Sequence, residues 1–320
     1  MPYPYFSVII PAYNVQDYIK QTLESVFNQT YRHFELIVVN DGSTDHTLEV
    51  LKGISDSRLR IINQDNGGEC RARNRGMSEA CGSYMAFIDA DDIWLPYHLQ
   101  LAYEFFESHP NASWYVTISK GFTGELTDKM MELSAPSNPC FQMMSYYQVE
   151  TMFLSSSTIM LKSSIKVPNL FEPGMKSGGD RVGWLRYCLT TGDALGILKD
   201  ATTVYCRMQR PGAATALGEG YNEKFVNVYL NSMKVTSRLM LSFIPNKETK
   251  AYIRRENLRN WGWCVRRSML QAWYQPLENS KSLLGYIILI PLRLFGVLHT
   301  LITAFFYSPF YIYSKIKNLK

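Results

Sequence analysis

No CxxC pair and no histidine cluster occurs among the 320 residues, although six cysteines are scattered through them. Neither a zinc site nor a disulfide framework is indicated, and a reducing compartment is the simplest expectation. No GxGxxG turn follows the first apolar run, and GxxxxGK followed by Ser or Thr occurs nowhere. Dinucleotide-cofactor and P-loop readings thereby lose their main support. The opening MPYPYFSVIIP has no basic stretch ahead of its apolar residues and meets Pro11 early. That is a poor secretory signal, so the working part is expected in the cytoplasm. Charge is sparse at 19% of residues, with a net +5. The balance gives no argument for nucleic acid, and none is expected as a partner.

Placement of charge says more than its sum. From Leu283 to Tyr313 only Arg293 is charged, and Lys315, Lys317 and Lys320 follow. An apolar run with a basic flank leans toward a membrane. The uncharged part, Leu294 to Tyr313, is about long enough to cross a bilayer, but within the wider apolar run Pro291 and Pro309 are interruptions. An interfacial or re-entrant anchor, a spanning helix and a buried helix pair all stay open. The expected address is the inner face of the cell membrane.

Before that tail the chain alternates strand-like and helix-like segments, the pattern of a parallel sheet with crossover helices. Strands are expected at 6–10, 34–39, 58–62 and 84–88, with helices at 17–29, 47–52, 69–80 and from Pro96 to about Ser108. Residues 121–140 read as a loop or insertion. Further on, 154–161 and 194–198 read as strands around a helix from Asp180 to about Leu189. From Glu223 the sequence becomes helical and basic. The expected organisation is an α/β domain over 1–220 and a helical extension over 221–320 carrying the membrane-leaning segment 283–313.

The most informative stretch is IDADDIW, Ile88 to Trp94, which ends an apolar strand with Asp89, Asp91 and Asp92. Carboxylates this close repel one another unless a cation sits among them. Hard divalent ions take oxygen ligands, often a carboxylate or two plus the phosphates of a substrate. On these residues alone, a solvated turn capping the next helix is an equal reading. Two other strand ends tilt the balance: Pro11 to Asn14 after the first, and Asn40 to Ser43 after the second. Ligands of open α/β sheets collect at such carboxyl ends. Tyr13 can stack on a base, Asp41 can accept from a base N–H, and Asp91 and Asp92 can hold Mg²⁺ or Mn²⁺ on a diphosphate. Arg71 and Arg73, with Asn74, follow Gly67 and Gly68 at a helix start, where paired donors can reach phosphate. Cys70 lies there too, a position that can lower a thiol pKa. With no His or second Cys near it in sequence, no nucleophilic role is expected.

The order SVIIPAYN, VVNDGSTD, DNGGECRARNRG and GSYMAFIDADD resembles the family 2 glycosyltransferases, which have the GT-A fold. The likeness is close through the acidic cluster and looser as far as Arg210. It implies a Rossmann-like, mainly parallel sheet flanked by helices. It also implies that Pro11, Tyr13, Asn14 and Asp41 shape the base site, and that Asp89 to Asp92 hold the ribose and a metal-bound diphosphate. Asn40 stands where the family often has the first of two aspartates, but the base-contacting role falls on the second, Asp41.

The resemblance further implies a catalytic base in the second half, commonly the Asp of a Glu-Asp pair opening a helix. Here that residue is Asp180, with Gly179 in the place of the Glu. Trp184 and the Asp193 turn are expected on the acceptor side, and Arg207 and Arg210 at the diphosphate. The QxxRW signature of processive synthases is absent, since Arg210 and Pro211 follow Gln209. A single-addition, inverting transfer is therefore expected, from a nucleotide-diphosphate sugar to a glycan or polyprenyl-linked acceptor. Two alternatives stand beside it. A sugar nucleotidyltransferase needs a glycine-rich, lysine-bearing loop that PAYNVQ does not supply. A non-catalytic glycan-binding scaffold has only Gly179 in its favour.

Overall fold

The structure, a computed structural model, describes residues 6–127, 130, 134–145, 155–165, 167–175, 178–192 and 194–208. The chain divides into two units between Ala216 and Leu217, and all the described residues belong to the first. The tail 283–313, the Asp193 turn, Gln209 and Arg210 therefore lie outside the description.

Four strands follow the expected alternation: β1 (Phe6–Ala12), β2 (Phe34–Asp41), β3 (Leu59–Gln64) and β4 (Tyr84–Phe87). They run parallel in the order β3-β2-β1-β4. Strands covered on both faces read as continuous apolar runs, and β1 and β4 are such runs. In β1, Val8, Ile9 and Ile10 are all fully buried. Each such side chain contributes about 1.5–3 kcal/mol by leaving water. Crossover helices α1 (Ile19–Phe27), α2 (Thr47–Lys52) and α3 (Glu69–Glu79) join them. Helix α1 buries Ile19, Leu23 and Val26, one stripe at helical spacing.

Strand order in the sheet reverses between β1 and β4, because β2 and β3 extend to one side and β4 to the other. The carboxyl ends at such a reversal frame a ligand crevice. Beyond β4 the sheet turns mixed. β5 (Ile93–Trp94), α4 (His98–Ser108), β6 (Trp114–Phe122), β7 (Phe141–Ser145), β8 (Ile159–Lys162), α5 (Gly179–Thr191) and β9 (Ala194–Arg207) follow in the chain. The order continues β4-β8-β6-β9-β5, with β7 on β9.

Three differences from the sequence reading matter for the site. The acidic stretch lies between two strands, because Ile93 and Trp94 pair antiparallel with Tyr205 and Val204. The expected strand at 154–161 begins instead as a 3₁₀ turn, Ser156–Thr158, before β8. And β9 runs on to Arg207 rather than ending at Leu198. β9 gains that length by pairing with β6, a strand whose mixed polarity hid its period.

Candidate nucleotide-sugar site

The loops after β1 and β2 are laced together by side chains. Asn14 sits in the left-handed region at φ 50°, and its Oδ1 accepts from the Thr44 backbone N–H at 2.8 Å. Its Nδ2 donates to Thr44 Oγ1 at 3.2 Å, and its own N–H donates to Ser43 Oγ. Val15 N–H donates to Thr47 Oγ1 at 2.8 Å. Asn14 is thus a brace between two loops, and that brace presents its neighbour Tyr13, 46% exposed, at the sheet edge. A single exposed aromatic is ordinary on a protein surface, so it is the place of Tyr13 beside the other strand ends that singles it out.

Asp41, buried at the end of β2, faces the next loop. Its Oδ1 accepts from Gln64 Nε2 at 2.6 Å and from Gly67 N–H at 3.0 Å, and its Oδ2 accepts from Gly68 N–H at 2.8 Å. A carboxylate offers about four acceptor positions, so one on Oδ2 is left for a ligand donor. Gly42 takes φ +68°, and a Cβ there would lie 2.7 Å from the Asn66 nitrogen, so only glycine lets the two loops meet. Arg71 is exposed and folds across Gly67, where a side chain would strike it.

Arg73 does not follow Arg71 outward. Only 2% exposed, it pairs with Glu69 one turn back, donates to Asp89 Oδ1 at 2.6 Å and lies over the Phe171 ring at 5.4 Å. The expectation of a direct phosphate contact from Arg73 is corrected: its charge is already spent on two carboxylates. Asn74 beside it exchanges two hydrogen bonds with the Phe171 backbone, at 2.6 and 3.0 Å. Helix α3 thereby holds the segment that leads into α5.

Helix α5 opens with Gly178 at φ 69°, Gly179 and Asp180. Asp180 is half-buried in the first turn of the helix. It is close enough to Arg73, Glu69 and Cys70 to bear on the titration of all three. Arg73 lowers the Glu69 pKa, but burial and the charges of Asp89, Asp180 and Asp91 outweigh it and push the carboxyl up to about 7. Glu69 is nonetheless 57% exposed. Solvent at that exposed carboxyl weakens the upward push. Cys70 goes the other way from a reactive thiol: burial raises it to about 11 against the pull of Arg73.

Within the acidic loop the three carboxylates divide. Asp89 is partly open and faces Arg73. Asp92 is buried, its Oδ2 accepting from Ser157 Oγ at 2.6 Å and its Oδ1 from the Arg207 N–H at 3.0 Å. Burial, with Asp89 and Asp91 beside it, raises the Asp92 carboxyl to about 8. Asp92 is thus held from two sides, while Asp91 beside it is also buried and Asp89 is the most open of the three. Among the described residues no three His, Cys, Asp or Glu side chains form a ready-made metal cage. The all-oxygen donors of three neighbouring carboxylates nonetheless suit a hard divalent ion.

Two other expectations need correction. Arg207 does not reach for phosphate: its guanidinium donates to Gln21 Oε1 at 2.9 Å, to Gly124 O at 2.9 Å and to Asp91 O at 3.3 Å. It is also sandwiched between the rings of Tyr18 and Phe122, at 4.8 and 4.6 Å. Trp184, expected beside the acceptor, is 1% exposed and packs edge-on to Phe87 and Phe171 at 5.2 and 4.9 Å. Burial on the inner face of α5 makes it core. Ser157 was missed altogether, although three serines in a row before an apolar strand are the signal that could have found it.

Residues 7–166 match the profile described as glycosyl transferase family 2. The chain belongs to that family. Among its relatives, the putative teichuronic acid biosynthesis glycosyltransferase TuaG of Bacillus subtilis is 41% identical over 105 residues, 32% of this chain and 42% of TuaG. An uncharacterized glycosyltransferase of Rickettsia bellii is 31% identical over 194 residues, 56% of this chain and 26% of that protein. The chain thus spans less than half the length of these curated relatives. In fold it is similar to residues 1–349 of S. aureus TarS in complex with UDP-GlcNAc, with a TM-score of 0.65 and 21% identity over 86% of this chain and 77% of that one. It is also similar to the mannosyltransferase PcManGT of Pyrobaculum calidifontis in complex with GDP-Man and Mn²⁺, at a TM-score of 0.53 and 16% identity, covering 94% of this chain and 86% of that one. The likeness confirms the Rossmann-like GT-A architecture that the motifs imply.

Proposed function

We propose that this family 2 protein is an inverting glycosyltransferase that moves one sugar from a nucleotide-diphosphate donor to a hydroxyl of a glycan or polyprenyl-linked acceptor in surface-polysaccharide synthesis. The observation that carries the reading is the convergence, at the reversal point of one sheet, of an exposed Tyr13, a loop-holding Asp41 and the carboxylates of Asp89 and Asp91. In this reading Tyr13 stacks on the base, Asp41 accepts its N–H, and Asp180 is the base that takes the acceptor proton. As the acceptor oxygen bonds to the anomeric carbon, the bond to the diphosphate breaks on the opposite face, and the nucleotide leaves with the electron pair. Asp91, with Asp89, would hold Mg²⁺ or Mn²⁺, whose charge would offset that of the leaving diphosphate. Arg73 keeps Asp89 oriented beside the site.

The scaffold alternative rests on Gly179, whose backbone lies against the Cys70 thiol and so has a packing reason of its own. The basic, apolar segment 283–313 motivates the proposed address at the cytoplasmic face of the membrane. Thermal unfolding with a panel of sugar nucleotides and Mn²⁺ tests the donor claim. A true donor at a hundredfold its dissociation constant adds about 2.7 kcal/mol of stability. A flat response to every nucleotide, with and without metal, would falsify the reading.

A further inference from the structure

Ser157 is fully buried, and its hydroxyl carries two bonds to the acidic loop at once. It donates to Asp92 Oδ2 at 2.6 Å and accepts from the backbone N–H of Asp89 at 3.0 Å. Its carbonyl accepts from Trp94 Nε1 at 2.8 Å, on the far side of the same loop. The turn that presents it is itself capped, with Ser155 Oγ accepting from the Ser157 N–H at 3.2 Å. From the opposite side the end of β9 grips the loop through the Arg207 N–H on Asp92 and the Arg207 side chain on the Asp91 carbonyl. Residues 89–92 are therefore suspended between two elements that lie distant in sequence. Asp92 is the shared anchor.

We infer that Ser157 is a positioning residue for the metal-diphosphate carboxylates, acting through Asp92 and the Asp89 backbone, so that Asp91 and Asp89 are aimed before any donor arrives. The inference rests on the donor reading above and adds a residue to it. Ser157→Ala removes both hydroxyl bonds and touches neither Tyr13 nor Asp41, so its effect falls on the metal-dependent half of nucleotide binding. Loss of a partner that orients a metal ligand typically weakens metal affinity 10- to 100-fold.

The test is calorimetric binding of UDP and of GDP with Mn²⁺ and with EDTA, together with the water-proton relaxation enhancement of bound Mn²⁺. For Ser157→Ala we expect Mn²⁺-dependent affinity to fall about 10- to 100-fold, with a changed relaxation signal and EDTA-arm affinity as in the wild type. Ser157→Thr, which keeps the hydroxyl, should recover part of the loss. If the alanine variant does not fold, Ser157→Cys, with a similar shape and much weaker bonding, should give the same selective loss at smaller size. Unchanged Mn²⁺ affinity, or equal losses in both arms as from general unfolding, overturns the inference alone. A wild type that gains nothing from Mn²⁺ with either nucleotide overturns the donor reading, and this inference with it.

Discussion

The backbone of Gly179 lies against the thiol of Cys70: a Cβ at 179 would stand 2.1 Å from Cys70 Sγ and 3.9 Å from its Cβ. The first turn of α5, which carries Asp180, is thereby seated on the first turn of α3, which carries Glu69 and lies one turn before Arg73. A side chain at 179 enters only if the Cys70 thiol moves aside. The departure at Gly179 is one half of a packing pair, and the seat sets Asp180 beside Arg73.

Gly179→Ala should destabilise the protein by about 1–3 kcal/mol through overpacking. In the Cys70→Ala background the clash is gone, because the nearest remaining atom at 70 is at ordinary contact distance. A double-mutant cycle by urea unfolding should give a coupling of about 0.5–3 kcal/mol. Additive effects would show that the two residues do not share this space.

Tyr13→Ala separates binding from stability. The side chain stands in water, so unfolding should shift by no more than about 0.5 kcal/mol. Nucleotide affinity should fall by about 1–3 kcal/mol, the worth of one base stacked on an aromatic, and Tyr13→Phe should keep most of it. Undiminished UDP and GDP affinity in the alanine variant would remove Tyr13 from the base site.

Arg207 and Gln21 should behave as a unit. If Arg207 clamps the acidic loop, replacing either residue by Ala costs stability, and the double variant costs less than the sum by about 0.5–3 kcal/mol. A residue that met only phosphate would instead leave unfolding unchanged and raise the donor KM.

His98 gives the fold a slope with pH. Burial alone lowers its pKa to about 3, and its Nδ1 meets Thr203 Oγ1 at 2.8 Å. Between that value and the unfolded histidine pKa of about 6.5, the unfolded chain binds the extra proton, so stability rises with pH through the window and is fully present above it. Compared with His98→Gln, the wild type should lose up to about 1.4 kcal/mol more per unit as pH falls from 6.5 to 5. Parallel slopes in chemical unfolding would contradict a neutral buried His98.

The first four strands and their loops were legible because each is an apolar run ended by glycine, proline or Asx residues. Legible too were the carboxylates after β4 and the opening of α5 at Asp180. The directions of the arginine side chains were not legible. Arg73 and Arg207 turn inward because carboxylates, carbonyls and rings distant in sequence take up their guanidinium groups, and spacing does not reveal such partners. Trp184 illustrates the same limit, since α5 shows little amphipathic contrast and both faces read alike. Strand β9 and the Ser157 turn depended on pairing across the sheet, where tertiary context decides.

The account stands most directly on Asp180. With a donor that stabilises the wild type and a hydroxyl acceptor it glycosylates, Asp180→Asn should bind the donor as well as the wild type and transfer about 10²- to 10⁴-fold more slowly, the usual worth of a general base. Transfer near the wild-type rate with binding intact would contradict Asp180 as the base.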